Sequence, residues 1–189
     1  MDQITNKLNQ ILDYLQDPGS GHHSGDKKIC YLTFPFEKIL IAKKYLSTLL
    51  GLAKHRNYDV DILSLGSVVN EFIINNPRRN NWLAFSRVED QFEMQAFFRG
   101  ISSSVIENEV IETAILNKQE ELQKNNNPLL LITDLEGIHP LTRFGPVEQK
   151  IYNQIEIPII VLYPGDLSGS SLEFLGFYPP DGNYRSKHF

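Results

Sequence analysis

Four short apolar runs, separated by segments of helical periodicity, most constrain what this chain can fold into. They read KICYLTF at 28–34, DVDILSLG at 59–66, PLLLITDLEG at 128–137 and PIIVLYPG at 158–165. Because these runs are apolar rather than regularly alternating, they are typical of strands that are buried on both faces. Strands of this kind occur in parallel sheets that carry helices on both sides.

Helical patterns fill the intervals between the four runs. They predict helices in FEKILIAKKYLSTLLGLAKHR, VVNEFIIN, NEVIETAILNKQEELQKNNN and GPVEQKIYNQI. Residues 76–107 are less regular, but their aromatic-rich part, WLAFSRVEDQFEMQAFFRG, is also predicted to be helical. The chain therefore indicates an α/β fold, in which a mainly parallel sheet of about four to five strands forms a Rossmann-like three-layer domain with helices.

An amphipathic helix is predicted at residues 3–16, before the breaker-rich segment DPGSGHHSGD. This pattern divides the chain into an N-terminal helix and Gly/Ser linker, 1–26, and an α/β domain, 27–189. A linker of this composition favours a semi-detached helix.

The apolar face of that semi-detached helix is a candidate for contacts with another protein. Leu8, Leu12 and Leu15 are the predicted partner-binding residues on it. Under this hypothesis, Leu8→Glu abolishes partner binding and leaves the melting temperature of the α/β domain unchanged.

Composition excludes several classes of protein. The 189 residues carry 18 basic and 23 acidic side chains, for a formal net charge of −5. This balance disfavours nucleic acid as the main partner, although a DNA-contacting subunit stays open as an alternative. The single cysteine, Cys30, excludes an intramolecular disulfide and a cysteine-based zinc cluster. With no secretory pattern and no apolar run near the roughly 18 residues that span a bilayer, we expect a cytoplasmic protein without membrane contact.

Motifs for catalysis are not found where they would be expected. A P-loop needs glycines and a lysine after a strand, but TFPFEK follows the first run. A nucleophile elbow needs G-x-S-x-G, whereas the loop after the fourth run reads GDLSG, with its serine one place late. We therefore predict a protein that is not an enzyme and that uses no metal or cofactor.

A ligand site at the sheet edge is the main alternative. Ligands of such sheets bind beyond the carboxyl ends of the strands. Asp134 follows LLLIT as in a Walker B strand, and Glu136 and Arg143 come shortly after it. These three residues define a hypothesis of a degenerate nucleotide- or metal-binding protein.

The stretch from residue 158 to the end of the sequence resembles the BrxB family of BREX bacteriophage-exclusion systems. The resemblance rests on LYPGDLSGSS, LEFLGF and NYRSKHF, which follow one another in the family's order. LITDLEGIHPLTRF and NKLNQILDYLQDP resemble further family segments. Within the last part, Pro164, Gly165 and Gly169 are predicted to form a structural turn that returns LEFLGF as a hairpin or edge element.

The resemblance also implies a function. BrxB-like proteins have no established catalytic activity and are expected to associate with a PglZ-like protein of the alkaline phosphatase superfamily and with a large ATPase. The resemblance thus implies that this chain is a non-catalytic assembly subunit in antiviral defence. Whether the chain also forms a homo-oligomer stays open. Tyr184 and Arg185 are predicted to hold the tail or to contact a partner. The Trp-, Phe- and Met-rich middle is equally consistent with an interface and with core packing.

Overall fold

A six-stranded, mainly parallel sheet forms the centre of the computed structural model, which describes residues 2–17, 29–86, 91–168, 171–176, 178 and 186–189. The strands are β1 Ile29–Phe34, β2 Asp59–Ser64, β3 Pro128–Thr133, β4 Ile159–Ser168, β5 Ser171–Phe174 and β6 Lys187–His188. Their order is β2-β3-β4-β1-β6, and β5 pairs with β4 as the antiparallel strand. The α/β prediction is confirmed, and β5 is the hairpin strand that the sequence predicts in LEFLGF. β6 is not predicted, because two residues are too few to show a pattern.

Helices cover both faces of this sheet. They are α1 Asp2–Gln16, α2 Ile39–Lys44, α3 Leu46–His55, α4 Leu65–Asn75, α5 Arg79–Phe85, α6 Gln91–Glu107, α7 Val110–Leu122 and α8 Phe144–Ile151. Short 3-10 turns occupy Phe36–Lys38, Leu135–Ile138 and Tyr152–Gln154. Among the described helices, none combines the length and the apolar character that a bilayer crossing requires.

Alternate residues of β1 point to opposite faces of the sheet, as strand geometry requires. Ile29 and Tyr31 pack into the core under α4–α8, while Cys30 and Leu32 pack into the core under α1–α3. All six residues of β1 are buried. This two-sided burial is the physical reason why the strand is a continuous apolar run in the sequence.

Helix α1 packs against the chain's own sheet. Leu8 is 2% exposed and Leu12 is 0% exposed, in one core cluster with β1 and α3. Lys7 reinforces the contact, since its Nζ donates to the carbonyl oxygen of Thr33 at 2.8 Å and to its Oγ1 at 2.7 Å. The helix is therefore not semi-detached in this structure. The linker residues that suggested otherwise, 18–26, lie outside the described residues.

The segment between β1 and β2 is not one continuous helix, as its periodicity predicts, but two. The break falls at Tyr45, whose amide is shared between the carbonyl oxygens of Ile41, at 3.2 Å, and Ala42, at 3.1 Å. Neither Pro nor Gly stands at this position, so the sequence contains no local breaker signal.

The end of the chain, 186–189, is held at the edge of the sheet. β6 pairs in parallel with Cys30 and Tyr31 of β1. The carboxylate of Glu148, which is 2% exposed, accepts hydrogen bonds from the Tyr31 hydroxyl at 2.6 Å and from the Ser186 hydroxyl. The buried carboxylate of Glu148, in α8, thus links β1 with the segment 186–189.

Candidate functional site

At the carboxyl edge of the sheet, where the sequence places a ligand, the space beyond β2 and β3 is closed by backbone. The start of α4 meets the 3-10 turn after β3 at Gly66 and Gly137. A Cβ atom on Gly137 would lie 2.6 Å from the Cα of Gly66, a distance that real Cβ contacts do not show. Only glycine permits this approach, so the two segments leave no opening between them.

Asp134 and Glu136 do come together at this edge, but they share a lysine. The Nζ of Lys43 in α2 lies 2.6 Å from a carboxylate oxygen of each. Burial alone would raise the pKa of Asp134, but hydrogen bonds from Lys43, Ser64 and Thr133 outweigh it and hold that pKa below its ordinary value. The ammonium group thus occupies the position between the carboxylates where a cation would bind.

The space beside this triad is small. Its cavity measures about 20 Å³ and is lined by Lys43, both carboxylates and apolar side chains of β1 and α2. Such a volume holds about one water molecule. Within the described residues, no three His, Cys, Asp or Glu side chains are grouped so that they could hold a metal ion.

Arg143, the third residue of the ligand hypothesis, makes its described contact elsewhere. Its guanidinium lies 5.7 Å from the ring centroid of Tyr178. Tyr178 in turn packs on His139, with ring centroids 4.6 Å apart, and Phe174 stacks on His139 at 4.4 Å. Arg143 therefore belongs to an aromatic cluster that covers β5, and not to the Asp134–Glu136 pair.

Stability is expected to fall in mild acid because of His139. Burial, followed by the charge of Arg143, lowers the pKa of His139 from its ordinary value to about 4. The unfolded state takes up a proton below about pH 6.5, whereas the folded state does so near pH 4. Because His139 is only half-buried and solvent screens part of the effect, the free energy of unfolding should fall by about 2 kcal/mol as the pH drops from 6.5 to 4. Urea unfolding across this range measures the loss.

In His139→Phe this pH dependence should be much weaker. The part that remains comes from His188, whose pKa burial also lowers, and from Asp61 and Asp134, whose lowered pKa values make them lose stability as the pH approaches 4. His55→Phe, at an exposed position of α3, is the control and should keep the wild-type slope. If the free energy of unfolding of His139→Phe depended on pH as strongly as that of the wild type, His139 would not be the cause of the acid sensitivity.

The predicted partner-binding residues have different outcomes. The side chains of Leu8 and Leu12 are enclosed by the chain's own core, and Leu15 packs partly buried at its margin. In this structure Leu8 and Leu12 therefore stabilise the fold and are not exposed to a partner. Tyr184 and Arg185 lie outside the described residues, and their prediction stays a prediction.

Two of the three predicted turn residues lie within a strand and not in a turn. Pro164 and Gly165 lie within β4, and the expected hairpin follows them, with Gly165 opposite Phe174 and Ser168 opposite Ser171. Gly169 lies outside the described residues. Among the described glycines the positive φ belongs to Gly176, at 70°, and not to Gly165. Gly165 is needed for a different reason, because a Cβ there would lie 2.1 Å from the Glu173 carbonyl oxygen.

Large apolar side chains on α5 and α6 are exposed to solvent in the described part of the chain. We call this group the α5–α6 surface, and it consists of Leu83, Phe85, Phe92, Met94 and Phe98, which are 39–80% exposed. Phe92 is the most exposed of these five side chains, at 80%. Their density in the sequence, FEMQAFF, is the signal that marks this region, but periodicity could not separate an interface from a core. Concentrations of exposed aromatic and Met side chains are typical of protein interfaces.

Comparison with protein families identifies the chain. A family model described as BREX protein BrxB matches residues 65–189, well over half of the sequence. The chain belongs to the BrxB family. Searches of the curated proteins and of the solved structures gave no match.

Membership of the BrxB family makes this chain a component of a BREX phage-defence system. The BrxB match begins at the first residue of α4 and includes the α5–α6 surface, the Asp134–Glu136 pair and the β4–β5 hairpin. Helices α1–α3, including Lys43, precede it. The resemblance to the BrxB family is thus confirmed over residues 65–189, while the part drawn from NKLNQILDYLQDP precedes the match and stays a prediction.

Proposed function

We propose that this BrxB-family protein is a non-catalytic assembly subunit, which binds the PglZ-like protein or the large ATPase of its defence system. The proposal is supported above all by the α5–α6 surface. Five large apolar side chains within residues 83–98 are exposed to water, which is unfavourable unless another surface covers them. Met94 and Phe98 are four residues apart and share one face of α6, so one partner can cover them together, whereas Phe92 projects from another side of the helix.

The closed carboxyl edge supports the same proposal. A ligand-binding protein needs free polar groups that converge on an open cavity. Here Asp134 and Glu136 share the single positive charge of Lys43, and the adjoining cavity has room for about one water. The degenerate nucleotide- or metal-binding alternative therefore has less structural support than assembly.

Co-purification of defence-locus proteins tests the proposal. The double variant Phe92→Ser, Met94→Ser should weaken capture of the PglZ-like protein or the ATPase at least tenfold, because truncating central apolar anchors costs more than about 1.4 kcal/mol of binding free energy. Both positions are exposed, so the melting temperature should stay within a few degrees of the wild type.

Leu40→Ser is the matched control, because Leu40 is 73% exposed but lies on α2. It should bind like the wild type. Equal capture by the double variant and the wild type would contradict the proposal. Micromolar binding of ATP, GTP or a divalent ion that is lost in Asp134→Ala would favour the ligand-binding alternative instead.

A further inference from the structure

The segment 186–189 contacts helix α1 as well as the edge of the sheet. The Nζ of Lys187 lies 3.9 Å from the ring centroid of Tyr14, in the last turn of α1. The ring of Phe189 lies beside the same tyrosine, with the two ring centroids 5.7 Å apart. A cation and a second aromatic ring from this segment are thus both placed on one side chain of α1.

Thr33, in β1, connects the same two parts of the chain through hydrogen bonds. Its Oγ1 accepts from the Nζ of Lys7 at 2.7 Å and donates to the carbonyl oxygen of Phe189 at 2.5 Å. Its amide donates to that carbonyl oxygen at 3.2 Å. Lys7 and Tyr14 are about two helical turns apart, so they lie on one side of α1. We call Lys7, Tyr14, Thr33 and 186–189 the α1–β6 clasp.

The clasp lies beside the apolar contact that holds α1 on the sheet, and not at the centre of that contact. Leu8 and Leu12 are enclosed in the core, whereas Tyr14 and Phe189 are only partly buried at its margin. Helices open locally at a free energy below that of global unfolding, and contacts at their margins contribute to it. An exposed cation–π contact or an aromatic pair changes such an equilibrium by about two- to fivefold.

Helix α1 and the segment 186–189 differ in their relation to the BrxB match. The match covers residues 65–189, so it includes the segment but not the helix. The clasp therefore joins a helix that precedes the matched region to the last residues of that region. Helix α1 also packs on the face of the sheet opposite α5 and α6, so the behaviour of the clasp is independent of the proposed function.

We infer that the α1–β6 clasp is a conformational device that controls how readily α1 opens from the sheet. When 186–189 leaves β1, Tyr14 loses the cation and the ring that face it, and the Thr33 hydroxyl loses its acceptor. Opening of α1 then requires less free energy, and it uncovers the apolar side chains of Leu8 and Leu12. Any contact that draws the segment off β1 thereby loosens α1.

Amide hydrogen exchange of the full chain tests this coupling. Phe189→Ala removes the ring beside Tyr14, so exchange in α1 and in 187–189 should become at least about threefold faster. Lys187→Met, at an exposed position, removes only the charge and should accelerate exchange in α1 by about two- to fivefold. This second variant keeps the test available if Phe189→Ala does not fold. Unchanged exchange in α1 in either folded variant would overturn the inference.

Phe72→Ala is the matched control, because Phe72 is also half-buried but lies on α4, in the core on the other face of the sheet. It lowers the global stability without removing any part of the clasp, so exchange in α1 should stay within about twofold of the wild type. Equal acceleration of α1 in Phe72→Ala and Phe189→Ala would show that α1 opens only when the whole domain unfolds, which rules out a local device.

Combining Tyr14→Ala with Phe189→Ala tests whether the two rings act through each other. Because both substitutions remove one shared contact, the acceleration of exchange in the double variant should be clearly smaller than the product of the accelerations in the single variants. Accelerations that multiply would show that Phe189 acts on α1 without Tyr14, and would contradict the clasp.

Discussion

Replacing Leu8 by glutamate is expected to lower the free energy of unfolding by more than about 4 kcal/mol, because an unpaired carboxylate would enter an apolar core. Leu8 is 2% exposed and packs in one cluster with β1 and α3. This result is the opposite of what a semi-detached helix would give. Urea unfolding followed by circular dichroism measures it.

Gln10→Glu is the control for this experiment, because Gln10 lies on the exposed side of the same helix. It adds the same charge and should change the stability by no more than about 0.5 kcal/mol. If Leu8→Glu kept the wild-type melting temperature and lost only the binding of a partner, α1 would be a detached docking element after all.

Gly165→Ala should destabilise the protein by about 3 kcal/mol. The added Cβ would lie 2.1 Å from the carbonyl oxygen of Glu173 and 2.9 Å from Cε1 of Tyr163. The first of these is a backbone atom of the paired strand β5, so the strands must separate to admit the methyl group. Thermal unfolding should show a correspondingly lower midpoint.

Gly51→Ala is the comparison, because the space around Gly51 is open. There the same substitution should stabilise helix α3 by about 0.5–1 kcal/mol through better helix propensity. A Gly165→Ala protein as stable as the wild type would show that β4 and β5 do not approach as closely as described.

The strands of this fold could be predicted because burial on both faces requires a continuous run of apolar residues in the sequence. β1 is buried at every residue, and its apolar run matches the observed strand to within one residue. Helix α7 could likewise be predicted, from its regular apolar spacing. The break at Tyr45 could not be predicted, because it depends on how α2 and α3 pack rather than on a local breaker.

The placement of α1 and the role of Gly165 depend on contacts distant in sequence. A Gly/Ser linker indicates where a chain can bend, but not whether the helix before it returns to the sheet. For Gly165, the loop-like composition suggested a turn, whereas the decisive contact is with Glu173 on the opposite strand. No pattern in the sequence identifies such a cross-strand approach.

The candidate site was predictable only in part. The sequence correctly placed Asp134 and Glu136 at the carboxyl edge, but their shared ion-pair partner, Lys43, is some 90 residues away. For the α5–α6 surface, composition showed that large apolar residues were concentrated there. Only the packing shows that Phe92 is exposed while Trp82 is buried.

Amide hydrogen exchange, with and without the PglZ-like protein, tests most directly whether this chain acts by contact through the α5–α6 surface. We expect slower exchange in α5, Arg79–Phe85, and in the first half of α6 when the partner is bound. Exchange in Leu135–Ile138, at the carboxyl edge of the sheet, should be unchanged. Slower exchange confined to that edge, with α5 and α6 unaffected, would show that the α5–α6 surface is not the contact.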